Sequence, residues 1–224
     1  SRWYGELASD GRAPNPNPFK KYAIGTDPVK KDKLSRKELK ELEELPLKAG
    51  GLRMARDLFL FSYYCKGIRF ETCITIKKEG IINGRLLFTT NKGQKNLSTL
   101  IHPKLHAIIV RYKDNEGPYI FPYLLEELPR NTPQEEKAYK GAIGSANALV
   151  NRYLKTAAQM AGIKTSITQH VSRHTFAFHL KQVSNNIHII KDSLGHSKSD
   201  ITERYLKELD DEFLDAELSK LYGG

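Results

Sequence analysis

Two helix starts of the same kind bracket a short β-rich stretch, and this arrangement restricts the fold more than any other feature of the sequence. At Ser35 and Glu38, and again at Thr132 and Glu135, a hydroxyl residue is followed three positions later by glutamate, the pattern of a capping box. Between the boxes, three runs are typical of strands: residues 73–78, 85–90 and 96–101. The sequence therefore predicts a mainly α fold with a small three-stranded antiparallel β-sheet.

Local signals around these runs set the expected order of elements. Asn83 and Gly84, between the first two runs, form a dipeptide that favours a two-residue hairpin turn. Leu34 and Leu39 flank the first capping box at the positions of a hydrophobic staple. Further helices are predicted over residues 54–67, over residues 103–112, after Thr132 and around His170.

The first part of the chain differs in composition from the rest. Residues 1–33 are rich in Pro, Gly, Asn and Lys and show no apolar periodicity. This composition is typical of a linker. We therefore expect a linker over residues 1–33 and one domain over residues 34–224.

The charge balance favours a polyanionic partner. Lys and Arg number 36 against 26 Asp and Glu, which leaves a formal net charge of +10 and a pI near 9.4. Nucleic acid fits this balance better than a membrane surface. No apolar run approaches the roughly 18 residues of a spanning helix, and the first residues lack the order of a signal peptide. We therefore expect no membrane association and a cytoplasmic location.

The cysteines and histidines do not form a recognisable metal site. Cys65 and Cys73 are too few for a disulfide framework, and we interpret both as reduced thiols in the core. His170 and His174 stand four residues apart, a spacing known from zinc sites, but no carboxylate or cysteine completes a ligand set. The sequence predicts no metal and no cofactor, with His174 packed beside the site.

The most informative cluster lies between residues 170 and 205. His170 and Arg173 are three residues apart on a predicted helix and thus share a face. His196 follows in the turn-like LGHS, and Tyr205 lies in TERYL. Each element alone would more often be a surface or core-edge residue, but together they combine a nucleophile with cationic and hydrogen-bonding groups suited to a phosphodiester.

This cluster closely resembles the active-site signature of the tyrosine recombinase (phage integrase) family. The similarity extends upstream to the G-x-R turn at Arg69, and to the hairpin turn NKGQK, where Lys92 matches the family's lysine better than Lys95 does. The family usually carries an acidic residue three positions after its first arginine. This chain has Thr72 there, with Glu71 one position early, so either residue could support Arg69.

The resemblance implies a mechanism in which a tyrosine attacks a DNA phosphate. Two arginines would stabilise the charge that develops on the non-bridging oxygens. A tyrosine is only about one part in a thousand ionised at pH 7 and needs a group that shares its proton. The implied site residues are Arg69, Lys92, His170, Arg173, His196 and Tyr205.

The remaining roles also follow from the resemblance. His170 would accept the proton of Tyr205, and His196 would donate a hydrogen bond to the phosphate. Lys92 would protonate the departing 5′ oxygen as general acid. The product would be a 3′-phosphotyrosine link, which keeps the bond energy for religation, and the reaction needs no metal.

The resemblance further implies double-stranded DNA as partner and a homo-tetramer on that DNA, with a monomer in isolation left open. Residues 1–33 would then be the linker or the remnant of an N-terminal DNA-binding region, and residues 34–224 the catalytic domain of a mobile-element integrase in a prokaryote. Alternatives are a type IB topoisomerase or a weakly active DNA-binding regulator with this fold. A helical stripe after Tyr205 either packs in its own domain or docks on a neighbouring protomer: Leu206, Leu209, Phe213, Leu214, Leu218 and Leu221.

Overall fold

The structure is a computed structural model that describes residues 32–91, 94 and 96–183. The predicted site residues Lys92, His196 and Tyr205 lie outside the described residues, as do Lys95, the linker up to residue 31 and the stripe after Tyr205. In chain order, the elements are α1 (Arg36–Glu44), α2 (Gly51–Tyr64), α3 (Phe70–Thr75), a 3-10 turn (Lys78–Gly80), β1 (Ile81–Ile82), β2 (Arg85–Thr89), β3 (Asn96–Leu100), α4 (Pro103–Arg111), α5 (Pro133–Met160) and α6 (Gln169–Val183).

Both predicted capping boxes are confirmed. In the first, the backbone N–H of Glu38 donates to Ser35 Oγ at 3.2 Å, and the Ser35 N–H donates to Glu38 Oε2 at 2.8 Å. In the second, Thr132 and Glu135 exchange the same two bonds at 3.2 and 3.1 Å. Because each box satisfies N–H groups that the first helical turn leaves without partners, α1 and α5 begin where the sequence predicts.

The predicted fold class is confirmed as mainly α with a small three-stranded antiparallel sheet, of order β1-β2-β3. The hairpin turn at Asn83 and Gly84 is also confirmed. Both residues have positive φ, 48° and 72°, and Ile82 pairs with Arg85 directly across the turn. Two successive residues of positive φ characterise the type I′ turn, whose twist suits an antiparallel pair.

The predicted first strand over residues 73–78 is wrong. Residues 73–75 complete helix α3, and the first strand is Ile81–Ile82. Thr72, Cys73 and Ile74 are all buried, whereas successive strand residues would point to opposite faces. The alternating β-branched residues favoured a strand, but a short helix that is packed on several sides buries consecutive residues, and this packing outweighs the weak propensity.

Helix α2 forms the centre of the core. Eight consecutive residues from Ala55 to Ser62 are buried, and Phe61 packs edge-on against Phe121 with ring centroids 5.2 Å apart. Helices α4, α5 and α6 all pack against α2. Since α2 is enclosed on all sides, the turn that follows it, which carries Arg69, has a fixed starting point.

The two cysteines lie in this core as predicted. Cys65 and Cys73 are buried and carry free thiols. Burial raises the pKa of Cys73 to about 12 and that of Cys65 well above its ordinary value. Both are therefore protonated and unreactive at neutral pH. Within the described ranges, none of the helices combines the length and the apolar character needed to cross a bilayer.

Candidate active site

A cleft of about 430 Å³ brings together the three predicted site residues that the structure describes, Arg69, His170 and Arg173. Its walls come from three places in the chain. The turn between α2 and α3 supplies Arg69, helix α6 supplies His170 and Arg173, and helix α5 forms the opposite side with residues that include Asn147 and Asn151. Residues more than 100 positions apart thus meet at one surface.

Arg173 is a buried residue whose side chain is held by the protein main chain. Its side chain is only 7% exposed, and its Nη1 donates to the carbonyl of Gly67 at 2.7 Å. Burial lowers the pKa of Arg173 to about 10, and the positive charge of Arg69 nearby adds to the effect. The guanidinium remains protonated at neutral pH, so the cleft holds two neighbouring positive charges, one of them shielded from water.

The approach of Arg173 to the turn depends on Gly67. This residue has φ +66°, and a Cβ placed on it would lie 3.0 Å from the Arg173 Cα and 3.2 Å from its Cγ. The turn is fixed by two further bonds, from the Gly67 N–H to the Ser62 carbonyl at 2.8 Å and from Ser62 Oγ to the Ile68 carbonyl at 2.7 Å. A side chain at position 67 would therefore displace Arg173 from the turn.

Helix α6 is attached to α2 through main-chain carbonyls. Gln169 Nε2 donates to the Leu58 carbonyl at 3.2 Å, and Ser172 Oγ donates to the Phe59 carbonyl at 3.0 Å. At the start of α6, Asn151 Oδ1 accepts the backbone N–H of Gln169 at 2.8 Å. These bonds set both the depth and the rotation of the helix that carries His170 and Arg173.

His170 lies in the first turn of α6 and is exposed to the cleft. Its ring stands edge-on to that of His174, with centroids 4.5 Å apart. His174 is half-buried behind it, as predicted for a packed neighbour of the site. The positive end of the α6 dipole lies at the same wall of the cleft, because Thr168 and Gln169 also line it.

Thr72 and Glu71, the two residues that the sequence offers as support for Arg69, lie in different surroundings. Thr72 is buried, with 2% of its surface exposed, whereas Glu71 lines the cleft beside Arg69. Glu71 Oε1 accepts a hydrogen bond from Tyr139 Oη at 3.0 Å and lies 3.7 Å from Arg130 Nη1. The acidic side chain at the cleft is therefore Glu71.

Several residues that shape the site are not apparent from sequence patterns. Asn151, Ser172 and Tyr139 carry no motif, and the contacts that they make are with residues 18, 113 and 68 positions away. Gly67 is the exception, because a glycine two residues before a predicted site arginine indicates a tight turn. Among the residues that the structure describes, no three His, Cys, Asp or Glu side chains gather where a metal ion could bind.

Comparison with known proteins finds tyrosine recombinases among the relatives of this chain. The chain is 29% identical over 169 residues to a tyrosine recombinase of Pseudothermotoga lettingae, which covers 74% of this chain and 54% of that protein. It is also 29% identical over 182 residues to the tyrosine recombinase XerD of Chlamydia trachomatis, covering 77% and 56%. The chain thus spans about half the length of the curated relatives that it matches.

Solved structures share the fold. A lambda integrase dimer bound to a COC′ core site aligns with a TM-score of 0.64 at 15% identity, covering 92% of this chain and 69% of that chain. The XerH site-specific recombinase bound to difH substrate aligns with a TM-score of 0.58 at 16% identity, covering 91% and 59%. These comparisons confirm the resemblance found in the sequence. The phage integrase family matches residues 33–212, a range that includes every predicted site residue, and the chain belongs to this family.

Proposed function

We propose that this chain is the catalytic part of a site-specific DNA recombinase, a mobile-element integrase that cleaves and rejoins DNA through a 3′-phosphotyrosine intermediate. The observation that carries the proposal is the pair of guanidiniums in the cleft. Arg173 is buried beside Arg69, and the charge of Arg69 acts to lower the pKa of Arg173. Two mutually repelling cations at a cleft are stabilised together when an anion binds between them.

A DNA phosphate supplies such an anion. During attack on phosphorus, negative charge grows on the non-bridging oxygens, and preorganised donors stabilise that charge most in the transition state. Arg173 is already oriented by the Gly67 carbonyl at 2.7 Å, so it loses little freedom when the phosphate arrives. The N-terminal end of α6 favours the same anion through its dipole.

The remaining steps use residues of the segment 170–205, which also contains Arg173, and a lysine between β2 and β3. Tyr205 Oη forms the bond to phosphorus while His170, exposed at the cleft, accepts its proton. His196 donates a hydrogen bond to the phosphate. As the bond from phosphorus to the 5′ oxygen breaks, Lys92 gives that oxygen a proton. No step needs a metal ion, and cleavage should persist in excess EDTA.

The charge of the chain and its similarity to solved structures support a DNA partner. The chain carries a net charge of +10, and the two similar solved structures are an integrase bound to a COC′ core site and a site-specific recombinase bound to difH substrate. We infer that double-stranded DNA is the substrate and that a homo-tetramer assembles on it. In this scheme, residues 34–224 are the catalytic domain, and residues 1–33 are a linker.

The proposal is tested by covalent capture on a nicked DNA site. The purified chain, incubated with nicked candidate sites in EDTA, should form an adduct that survives denaturation, and Tyr205→Phe should form none while it binds DNA with nearly unchanged affinity. An adduct that persists in Tyr205→Phe removes this residue from the mechanism. DNA binding without any adduct would indicate a regulator, and relaxation of supercoiled DNA without a recombination site would indicate a topoisomerase.

A further inference from the structure

The Tyr139 hydroxyl contacts both the helix that follows Arg69 and the hairpin that leads to Lys92, two segments to which the proposed mechanism gives different tasks. Tyr139 belongs to the second turn of α5 and is buried, with 5% of its surface exposed. Its hydroxyl donates to Glu71 Oε1 at 3.0 Å. Glu71 stands in the first turn of α3, two residues after Arg69, so this bond ties α5 to the helix that begins at the arginine.

The same hydroxyl also reaches the β2–β3 hairpin. Asn91 Nδ2 donates to Tyr139 Oη at 3.4 Å and to Thr75 Oγ1 at 3.3 Å. Thr75 Oγ1 in turn donates to the Glu71 carbonyl at 2.8 Å. Each hydroxyl in this small network thus donates one hydrogen bond and accepts another, which a hydroxyl can do and a methyl or hydrogen atom cannot.

The ring of Tyr139 is held from its outer side as well. The Arg130 guanidinium lies 4.1 Å from the ring centroid, and Arg130 is fixed by Glu136 through two bonds of 2.7 and 3.0 Å. Burial, followed by the hydrogen bond to Glu71, raises the pKa of the Tyr139 phenol. The phenol therefore remains protonated and keeps its donor.

We infer that Tyr139 is a positioning residue for DNA cleavage, whose hydroxyl joins Asn91 at the end of the hairpin to Glu71 in the helix after Arg69. This inference rests on the proposed function, in which Lys92, the next residue after Asn91, is the general acid. The described contacts fix the chain up to Asn91. Loss of the hydroxyl would leave Asn91 with its bond to Thr75 Oγ1 alone, which would loosen that end of the hairpin and move the proton donor relative to the 5′ oxygen.

The expected consequence is a defect in proton donation with DNA binding preserved. A misplacement of about 1 Å can slow a reaction about 100-fold. Tyr139→Phe should therefore cleave ordinary DNA about 10- to 100-fold more slowly at saturating DNA, with little change in DNA affinity. A 5′-bridging sulfur leaves as a thiolate and does not need a proton, so the variant should cleave such a substrate within about threefold of the unaltered protein.

Tyr64→Phe provides a matched control. Tyr64 is half-buried, and its hydroxyl donates to Glu43 Oε1 at 2.6 Å, a tyrosine–glutamate bond that does not border the active-site cleft. This variant should cleave both substrates like the unaltered protein. If Tyr139→Phe does not fold, Asn91→Ala removes the hairpin end of the network without touching the core and should show the same sulfur rescue.

The experiment separates this inference from the proposed function. Lys92→Ala should be rescued by sulfur. If it is rescued while Tyr139→Phe and Asn91→Ala cleave ordinary DNA normally, or are equally slow on both substrates, the positioning role is overturned and the general acid stands. If Lys92→Ala gains nothing from sulfur, the general-acid assignment fails, and the positioning role is overturned with it.

Discussion

Two walls of the active-site cleft are built in different ways. On the α6 side, Gln169, Ser172 and Arg173 donate to main-chain carbonyls of α2 and the turn after it. On the α3 side, Tyr139 donates to Glu71, so both partners of the bond are side chains. Carbonyl acceptors are present whatever the α2 side chains are, whereas the α3 side needs particular partners. Changes in the α6 wall should therefore affect the stability of the core, whereas changes in the α3 wall should chiefly affect the geometry of the cleft.

The largest effect should come from the arginine of the α3 side. Arg69 is exposed, so Arg69→Ala should change the free energy of unfolding by no more than about 0.5 kcal/mol. It should lower the cleavage rate about 10²- to 10³-fold, because one preorganised donor to the transition state is lost. The measurements are single-turnover cleavage at saturating DNA and thermal unfolding.

Arg85→Ala is the control for Arg69→Ala. Arg85 is also an exposed arginine, but it lies on β2 and bonds to Ser98. The Arg85→Ala variant should cleave DNA at the unaltered rate in single-turnover experiments. Equal losses in the two variants would mean that general positive charge, and not the cleft, drives the reaction.

A smaller effect is expected where the α6 wall meets the turn. Gly67→Ala places a Cβ 3.0 Å from the Arg173 Cα in a backbone of φ +66°. The left-handed conformation costs about 1–2 kcal/mol in stability, and displacement of Arg173 should slow cleavage about 10- to 100-fold. Gly84→Ala meets the same kind of strain at φ +72° in open space and should lose stability alone. Unimpaired cleavage by Gly67→Ala would contradict the described contact.

The last effect lies outside the cleavage reaction and concerns the pH dependence of stability on the α6 side. His179 is buried near the end of α6 and bonds to Tyr63 Oη at 2.9 Å. Burial, with the positive charge of Arg36, lowers the pKa of His179 to about 4. The unfolded chain takes up this proton near pH 6.5, before the folded chain does, so the associated stability is present above pH 6.5 and is lost as pH falls toward 4.

The size of this loss is about 2–3 kcal/mol. His179→Asn cannot titrate in this range, so urea unfolding between pH 7 and 4.5 should show a shallower loss of stability than in the unaltered chain. A parallel decline in both proteins would show that other groups carry the acid sensitivity.

Local sequence patterns predict the features of the fold that depend on neighbouring residues. The capping box at Ser35 and the turn at Asn83 are confirmed because their bonds close within three residues. The helix over Phe70–Thr75 escaped prediction, since tertiary burial decides its conformation and not its β-branched composition.

The candidate site also contains some residues that the sequence predicts and some contacts that only the structure shows. A family pattern identified Arg69, His170 and Arg173, and the structure brings them to one cleft. The contact from Tyr139 to Glu71 spans 68 residues and has no signal in the sequence, because either residue alone is typical of an ordinary helix. Such contacts follow from the packing of α5 against the core.

We propose that Tyr205 carries the covalent link to DNA in a reaction driven by the arginines of this cleft. The most direct measurement is mass spectrometry of protease fragments from the trapped adduct on nicked DNA. We expect a nucleotide 3′-phosphate attached to the fragment that contains Tyr205, and a much smaller yield of that fragment from Arg69→Ala. A nucleotide on any other tyrosine would exclude Tyr205 as the nucleophile, and a full yield of adduct from Arg69→Ala would exclude the arginine from the reaction.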